Sequence, residues 1–232
     1  MLSQLLYTAG NVLISSYVRL MLDMDVHWHV KMPDGPVLFA ANHPSTTDPI
    51  FIHLISRQPM SVMISQSVFS IPLLGAYMRK MGQIEVLYGQ GERVLGQACD
   101  TLRSGRSVTI FPEGAISPEG GFATVRTGVA RLALLSGMPV VPIGISLREG
   151  NCKRIPAVLE GEPEVITWYL RGPYAITVGR PLHFQGDVND RPLVREIAEN
   201  VMERIRALAF ESRQRMELQM LARSSRLLGA FD

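Results

Sequence analysis

VLFAANHPSTTDPIFIHLIS, residues 37–56, sets the reading of the whole chain. VLFAA (37–41) is a short, unbroken apolar run, the length and composition of a buried strand. NHPSTTDP (42–49) follows, with two prolines and three hydroxyl side chains that suit neither a strand nor a helix interior. TTDPIFIHLIS (46–56) then reads as a helix. A strand that breaks abruptly and hands over to a helix is a building unit of α/β proteins.

The same alternation extends in both directions. Upstream, VHWHV (26–30) alternates like a strand and PDG (33–35) is a turn. Downstream, SVMIS (61–65) is a strand, FSIPLLGAYMRK (69–80) a helix interrupted by Pro72 and Gly75, and QIEVL (83–87) a strand. ERVLGQACDTLRSG (92–105) carries Val94, Leu95, Ala98, Cys99 and Leu102 at helical spacing and closes on Gly105. SVTIF (107–111) is a buried strand that runs into PEG, and RTGVARLALLSG (126–137) is another helix. VVPIGISL (140–147), ITWYL (166–170) and YAITVG (174–179) are further strands. The pattern predicts one α/β domain over 25–189, with a mixed, largely buried sheet and flanking helices.

Two amphipathic segments flank it. Over 190–232, Leu193, Val194, Ile197, Ala198, Val201, Met202, Ile205, Leu208 and Ala209 keep a 3.6-residue period, which predicts a long C-terminal helix and tail. Beyond 212 the sequence is mostly polar and reads as frayed or facing a partner. Residues 1–24 form an N-terminal amphipathic helix. Asn11, Ser15, Ser16 and Arg19 interrupt its apolar run, so it either lies on a bilayer surface or packs on the domain's own core.

Composition narrows the function classes. The 232-residue chain is 47% hydrophobic and 19% charged, with a formal charge of +2, so no strong field argues for nucleic acid. Lysine occurs only at Lys31, Lys80 and Lys153, so arginine supplies most of the cationic groups. Its planar fork suits phosphate and carboxylate. Cys99 and Cys152 make no disulfide framework, and a reducing compartment is the expectation. No basic region precedes the N-terminal apolar stretch, so it does not read as a secretory signal. His27 and His29 share one strand face across Trp28; two imidazoles without a third ligand make a poor metal site, and they read as structural. No metal or cofactor is expected.

His43 and Asp48 hold the chemistry. Imidazole titrates near neutrality, and it accepts a proton from a hydroxyl when its other nitrogen donates to a carboxylate. On a straight helix two residues five apart point about 140° away from each other. The break at Pro44 and the hydroxyl run lets His43 end the strand while Asp48 faces back from the first helical turn. A plain capped turn fits the same residues. FPEG (111–114) makes a second turn at a strand's carboxyl end, where ligands of α/β proteins gather, and Gly114 permits close backbone approach.

Taken together, Asn42, His43, Ser45 and Asp48, then Phe111, Pro112, Glu113 and Gly114, then Val141, Pro142 and Ile143, resemble the three ordered blocks of the glycerolipid acyltransferases of the lysophosphatidic acid acyltransferase type. The resemblance covers roughly residues 25–185 and implies a glycerol-3-phosphate acyltransferase-like fold. It implies His43 as catalytic base, oriented by Asp48. It also implies Ser45, Phe111, Pro112, Glu113, Gly114 and Pro142 as substrate-binding residues, with Pro142 near the acyl chain. The implied reaction moves an acyl group from acyl-CoA or acyl carrier protein to a lipid hydroxyl. The implied setting is the cytoplasmic side of a membrane, in peripheral or monotopic attachment.

The chain departs from that pattern at two places. The family continues E-G-T-R-S where this chain has Glu113, Gly114, Ala115, Ile116, Ser117, and it carries an arginine where this chain has Tyr88. Both arginines are associated with the acceptor's phosphate, which calls for charge-assisted partners. Arg126 or Arg93 is the expected replacement if the acceptor is phosphorylated. An acceptor without phosphate, such as a glycolipid, is the alternative, and a non-catalytic lipid-binding relative is another. A hydrolase is disfavoured because GISLR (144–148) lacks the final glycine of a nucleophile elbow.

Overall fold

The computed structural model describes residues 2–56, 58–159 and 162–228. Helix α1 (Leu2–Met21) leads into strand β1 (Leu22–Trp28). Strand β2 (Leu38–Ala41), helix α2 (Asp48–Phe51) and strand β3 (Met60–Ser65) follow, then helices α3 (Gln66–Phe69) and α4 (Leu74–Lys80). The centre of the chain is β4 (Ile84–Val86), α5 (Gly91–Arg103), β5 (Ser107–Ile110), α6 (Gly128–Ser136) and β6 (Val140–Leu147). The last elements are β7 (Cys152–Leu159), β8 (Glu162–Tyr169), β9 (Gly172–Val178) and helix α7 (Arg191–Leu228).

The described residues form a seven-stranded sheet in the order β1-β9-β6-β2-β5-β3-β4. Neighbours run parallel except β6 and β9, which are antiparallel, so the sheet is mixed. Strand β2 lies at its centre, and its neighbours explain the apolar run. Leu38 and Ala40 enter one core with α5, α6 and α7, whereas Phe39 and Ala41 enter the other with α1 and α2. A strand covered on both faces has no polar side to alternate with. Fully burying a side chain such as Phe39 or Leu38 stabilises by about 1.5–3 kcal/mol each.

Several expectations shift. The N-terminal helix ends at Met21, so residues 22–24 belong to the sheet and not to the helix. Alternation already starts there: Leu22, Met24, Val26 and Trp28 face one core, leaving Asp23, Asp25 and His27 on the other side. The helix expected over 46–56 is one α-turn followed by a 3-10 turn at Ile52–Ile55. Phe51, Ile52 and Ile55 are all buried, a spacing that the tighter turn serves. The helix expected over 69–80 divides into α3 and α4, with Pro72 in the gap and Leu73 at φ 65°.

Strand β7 escapes sequence reading altogether. It pairs with β8 in a separate antiparallel ribbon whose Ile155, Val158 and Val165 are exposed. Pro156 and Pro163 sit within it, which a two-stranded ribbon tolerates because each strand has a free edge. The ribbon carries no one-sided apolar stripe to announce it.

Helix α7 does not fray after 212. It crosses β6 so closely that a Cβ on Gly144 would lie 2.0 Å from the Ala209 nitrogen. Farther along, it is tied to β1 and to the residue just past it by polar contacts: His29 Nε2 to Glu211 Oε2 at 2.8 Å, Arg215 Nε to Asp25 Oδ2 at 2.9 Å, and Arg223 to Asp23. Ser212 donates to the Gly144 carbonyl (2.9 Å) and meets the Thr177 hydroxyl, and Met216 is buried. Polar residues past 212, read as frayed or facing a partner, instead include Arg215 and Arg223, which form a seam with the acidic face of β1. Among the described residues, no helix is long and apolar enough to cross a membrane.

Candidate active site

The break after β2 is held from both ends. Asn42 is buried and exchanges two hydrogen bonds with Ile145 of β6: its amide donates to the carbonyl (2.9 Å) and its oxygen accepts from the N–H (2.7 Å). His43 follows, and its backbone is clamped. Its N–H donates to Glu113 Oε1 (3.0 Å), and its carbonyl accepts from the Ser117 N–H (2.8 Å). Its ring stacks on Phe111 with centroids 4.2 Å apart and planes inclined by 19°. Sequence placed His43 and Phe111 in separate blocks; parallel pairing of β2 with β5 sets them side by side.

Asp48 opens α2 and faces back to His43, with Oδ2 3.0 Å from Nδ1. The same oxygen accepts from the Ser45 N–H at 2.7 Å, and Oδ1 accepts from the Tyr174 hydroxyl at 2.7 Å. Asp48 is completely buried, so these bonds replace water around its charge. Burial pushes the Tyr174 phenol well above its ordinary value, and the Asp48 charge pushes it further, which keeps it a donor. Nothing in YAITVG marks Tyr174 for this role; it arrives from β9, 126 positions away.

Ser45 is buried, and its hydroxyl accepts from the Thr47 N–H (3.0 Å) and meets the Thr47 hydroxyl. Thr47 in turn donates to the Tyr169 carbonyl (3.1 Å), and the Thr46 N–H donates to the Thr167 carbonyl (2.7 Å). The hydroxyl run therefore fastens the turn to strand β8. Its threonine partners are a second contribution that the local sequence does not reveal.

Glu113 is buried, and its carboxylate accepts from the His43 N–H, the Ser117 hydroxyl (2.7 Å) and the Ala123 N–H. It braces the histidine's backbone. Pro112 accepts from the Arg126 N–H (2.8 Å), and Gly114 has φ 62° with the Arg126 side chain across it. A Cβ at Gly114 would lie 2.7 Å from Arg126 Nε, so this glycine is required twice, for its dihedral and for the contact. Arg126 itself is exposed. Arg93 pairs with Gln90 (3.0 Å) in a different groove, shared with Arg79 and Arg106 along β4 and α5. Pro142 lies buried in β6, near Gly179 and Leu208, away from the opening beside His43.

Beside Asn42 and Pro44 a cleft of about 120 Å³ opens between the 117–122 loop, the end of β6, the start of β7, and α7. Arg154, Arg206 and Arg213 line it, and sequence reading singled out none of them. Arg154 pairs with Glu119 (3.4 Å), Arg213 approaches Glu149 (3.9 Å), and Arg206 stands over the Phe122 ring (5.9 Å). The seven-residue interval between Arg206 and Arg213 on one helix was the available signal. Cys152 lines the same cleft, where burial pushes its thiol up and keeps it protonated.

Comparison with known proteins was made against this geometry. The family model described as Acyltransferase matches residues 23–146, from β1 through most of β6. The chain belongs to the acyltransferase family. The chain is 27% identical over 173 residues to the lyso-ornithine lipid O-acyltransferase of Pseudomonas aeruginosa, covering 71% of this chain and 66% of that protein. It is 28% identical over 151 residues to a chloroplastic 1-acyl-sn-glycerol-3-phosphate acyltransferase of Brassica napus, covering 64% of this chain and 43% of that one. Its fold is that of the crystal structure of the 1-acyl-sn-glycerophosphate acyltransferase from Thermotoga maritima, with a TM-score of 0.59 at 20% identity over 89% of this chain and 79% of that one.

Proposed function

We propose that this acyltransferase moves a fatty acyl group from a thioester carrier, acyl-CoA or acyl carrier protein, to a lipid hydroxyl, with His43 as general base. The supporting observation is the His43 Nδ1 to Asp48 Oδ2 contact at 3.0 Å, made to a carboxylate with no exposure. With Nδ1–H committed to Asp48, Nε2 carries the free lone pair and takes the acceptor's proton. Asp48 stabilises the resulting imidazolium, and Tyr174 and the Ser45 N–H hold Asp48 in place. The alkoxide attacks the thioester carbonyl, the thiolate leaves, and it recovers a proton from His43. In this scheme transfer is direct, and the Cys152 thiol, which burial pushes up, is not called on as a nucleophile.

The acceptor's head group belongs beside the arginines of the cleft. Tyr88 and Ile116 stand where the resembled family has arginine, and Arg93 lines another groove. Arg154, Arg206 and Arg213, interleaved with Glu119 and Glu149, suit a head group carrying both an anionic and a cationic centre. The similarity to a lyso-ornithine lipid acyltransferase supports such a head group, and the similarity to 1-acyl-sn-glycerol-3-phosphate acyltransferases supports a phosphomonoester.

Attachment to the cytoplasmic face of a membrane is part of the same proposal. Val12, Leu13, Leu20 and Met21 of α1 are exposed, as are Ile71, Leu73 and Leu74 before and within α4. Gly10 of α1 abuts Tyr77 of α4, which brings the two apolar sets together. Such a surface suits peripheral binding.

The decisive experiment follows thiol release from labelled long-chain acyl-CoA and acyl carrier protein across lysophosphatidate, glycerol-3-phosphate, a lyso-ornithine lipid and a neutral lyso-lipid. His43→Ala is expected to lose about 10²–10⁴-fold in turnover while remaining folded. Retained turnover in that variant removes the general-base role. Arg206→Ala and Arg213→Ala are expected to raise KM for the preferred acceptor, and an unchanged KM removes the cleft from acceptor binding.

A further inference from the structure

His27 of β1 and His29, just past the strand's end, lack a third ligand in the sequence, and the fold supplies one. Glu211 of α7 reaches the same spot from 182 positions away, with Oε2 2.8 Å from His29 Nε2. One nitrogen from each histidine and one Glu211 oxygen all lie within 4.8 Å of one another, and the two rings meet edge-on at 5.7 Å. We propose that His27, His29 and Glu211 form a binding site for a divalent transition ion, zinc foremost, that staples β1 to α7.

The donor set fits such an ion. Two imidazoles and a carboxylate are ordinary zinc ligands, and a tetrahedral site at zinc–ligand distances of 2.0–2.2 Å sets its donors roughly 3.3 Å apart. The two histidines are exposed and Glu211 is half-buried, so their side chains have room to close the donor separations, by up to about 1.5 Å, to the tetrahedral value. Water takes the remaining position.

The surrounding charges favour it too. The nearest cation, Arg215, approaches the other Glu211 oxygen, Oε1, at 3.6 Å. Its guanidinium is already engaged by Asp25 (2.9 Å), the Thr177 hydroxyl (2.6 Å) and the Ile176 carbonyl (3.0 Å). Oε2 therefore stays available to a cation, and the Asp25 charge offsets that of Arg215. The site is separate from His43 and independent of the reaction proposed above. Strand β1 ends the described sheet, so the ion would secure an edge strand to the helix that packs across β6 and β9.

The test uses untagged full-length protein freed of metal by chelation. Isothermal titration with zinc and absorption spectroscopy with cobalt(II) are run on the wild type and on His27→Ala, His29→Ala and Glu211→Gln. One equivalent of zinc, a tetrahedral cobalt spectrum and a raised thermal midpoint are expected for the wild type. Each variant is expected to bind at least about tenfold more weakly, since even groups one shell farther out are worth that much, and to lose the thermal gain. Circular dichroism confirms that the variants fold, and the conservative Glu211→Gln separates ligation from packing. Absence of binding by the wild type, or binding unchanged in all three variants, overturns the site.

Discussion

Two histidine–carboxylate pairs in this molecule have nearly the same geometry and opposite characters. His43 and Asp48 are five positions apart and 3.0 Å in contact; His29 and Glu211 are 182 positions apart and 2.8 Å in contact. Asp48 has no exposure and accepts two further hydrogen bonds, whereas the His29 and Glu211 side chains are 31% and 35% exposed. Contact distance does not distinguish the two pairs. Burial of the carboxylate does, because a buried charge with fixed partners holds the imidazole in one tautomer and orientation, while solvent screens the exposed pair.

The largest expected effect is at the buried pair. Asp48→Asn places an amide where the His43 and Ser45 N–H groups now donate, and kcat/KM for acyl transfer is expected to fall by up to roughly 10⁴-fold, the scale seen when a triad loses its orienting carboxylate. Steady-state thiol release checks it. A loss no larger than that of His29→Ala would erase the distinction between the pairs.

Tyr174→Phe tests the support of Asp48 rather than the pair itself. It removes one hydrogen bond to a fully buried carboxylate. Stability is expected to drop by about 1–3 kcal/mol, read by urea denaturation, with a smaller fractional loss of activity than Asp48→Asn.

A third histidine shows what burial does to an imidazole. Burial, with the charge of Arg106, lowers His53 to about 4. Between that value and the unfolded value near 6.5 the unfolded chain binds more protons, so stability is fully present above 6.5 and declines as pH falls. From pH 7 to pH 5 the decline at this residue is expected to be about 1–2 kcal/mol. Urea titrations at the two pH values measure it, and His53→Gln is expected to flatten the dependence.

The smallest effect belongs to the exposed pair. His29→Ala in metal-free protein is expected to change stability by no more than about 1 kcal/mol and leave acyl transfer unchanged. A large loss of either would mean that the seam between β1 and α7 supports the catalytic turn.

Much was legible before any coordinates. Apolar runs such as VLFAA and VVPIGISL match strands because both faces of the sheet are covered, and the 3.6-residue period from Leu193 matches α7 because one stripe of that helix enters the core. The His43 and Asp48 turn was legible because proline and hydroxyl residues break the chain at a strand's end. Strand β7 was not, since its proline and exposed residues leave no period to read, although ITWYL marked the end of its partner β8. Nor was the continuation of α7, whose polar residues have their partners on β1, some 180 to 200 positions earlier.

By itself, then, the sequence determined the alternation of strands and helices and the residue types at the turn, because local propensity and a period of side-chain burial are written along the chain. Only the tertiary structure decided that Tyr174 and Glu113 support His43 and Asp48, that three arginines meet beside Pro44, and that Glu211 joins His27 and His29. Those groups come together through strand order and helix crossing, and neither is encoded in the spacing of neighbours along one segment.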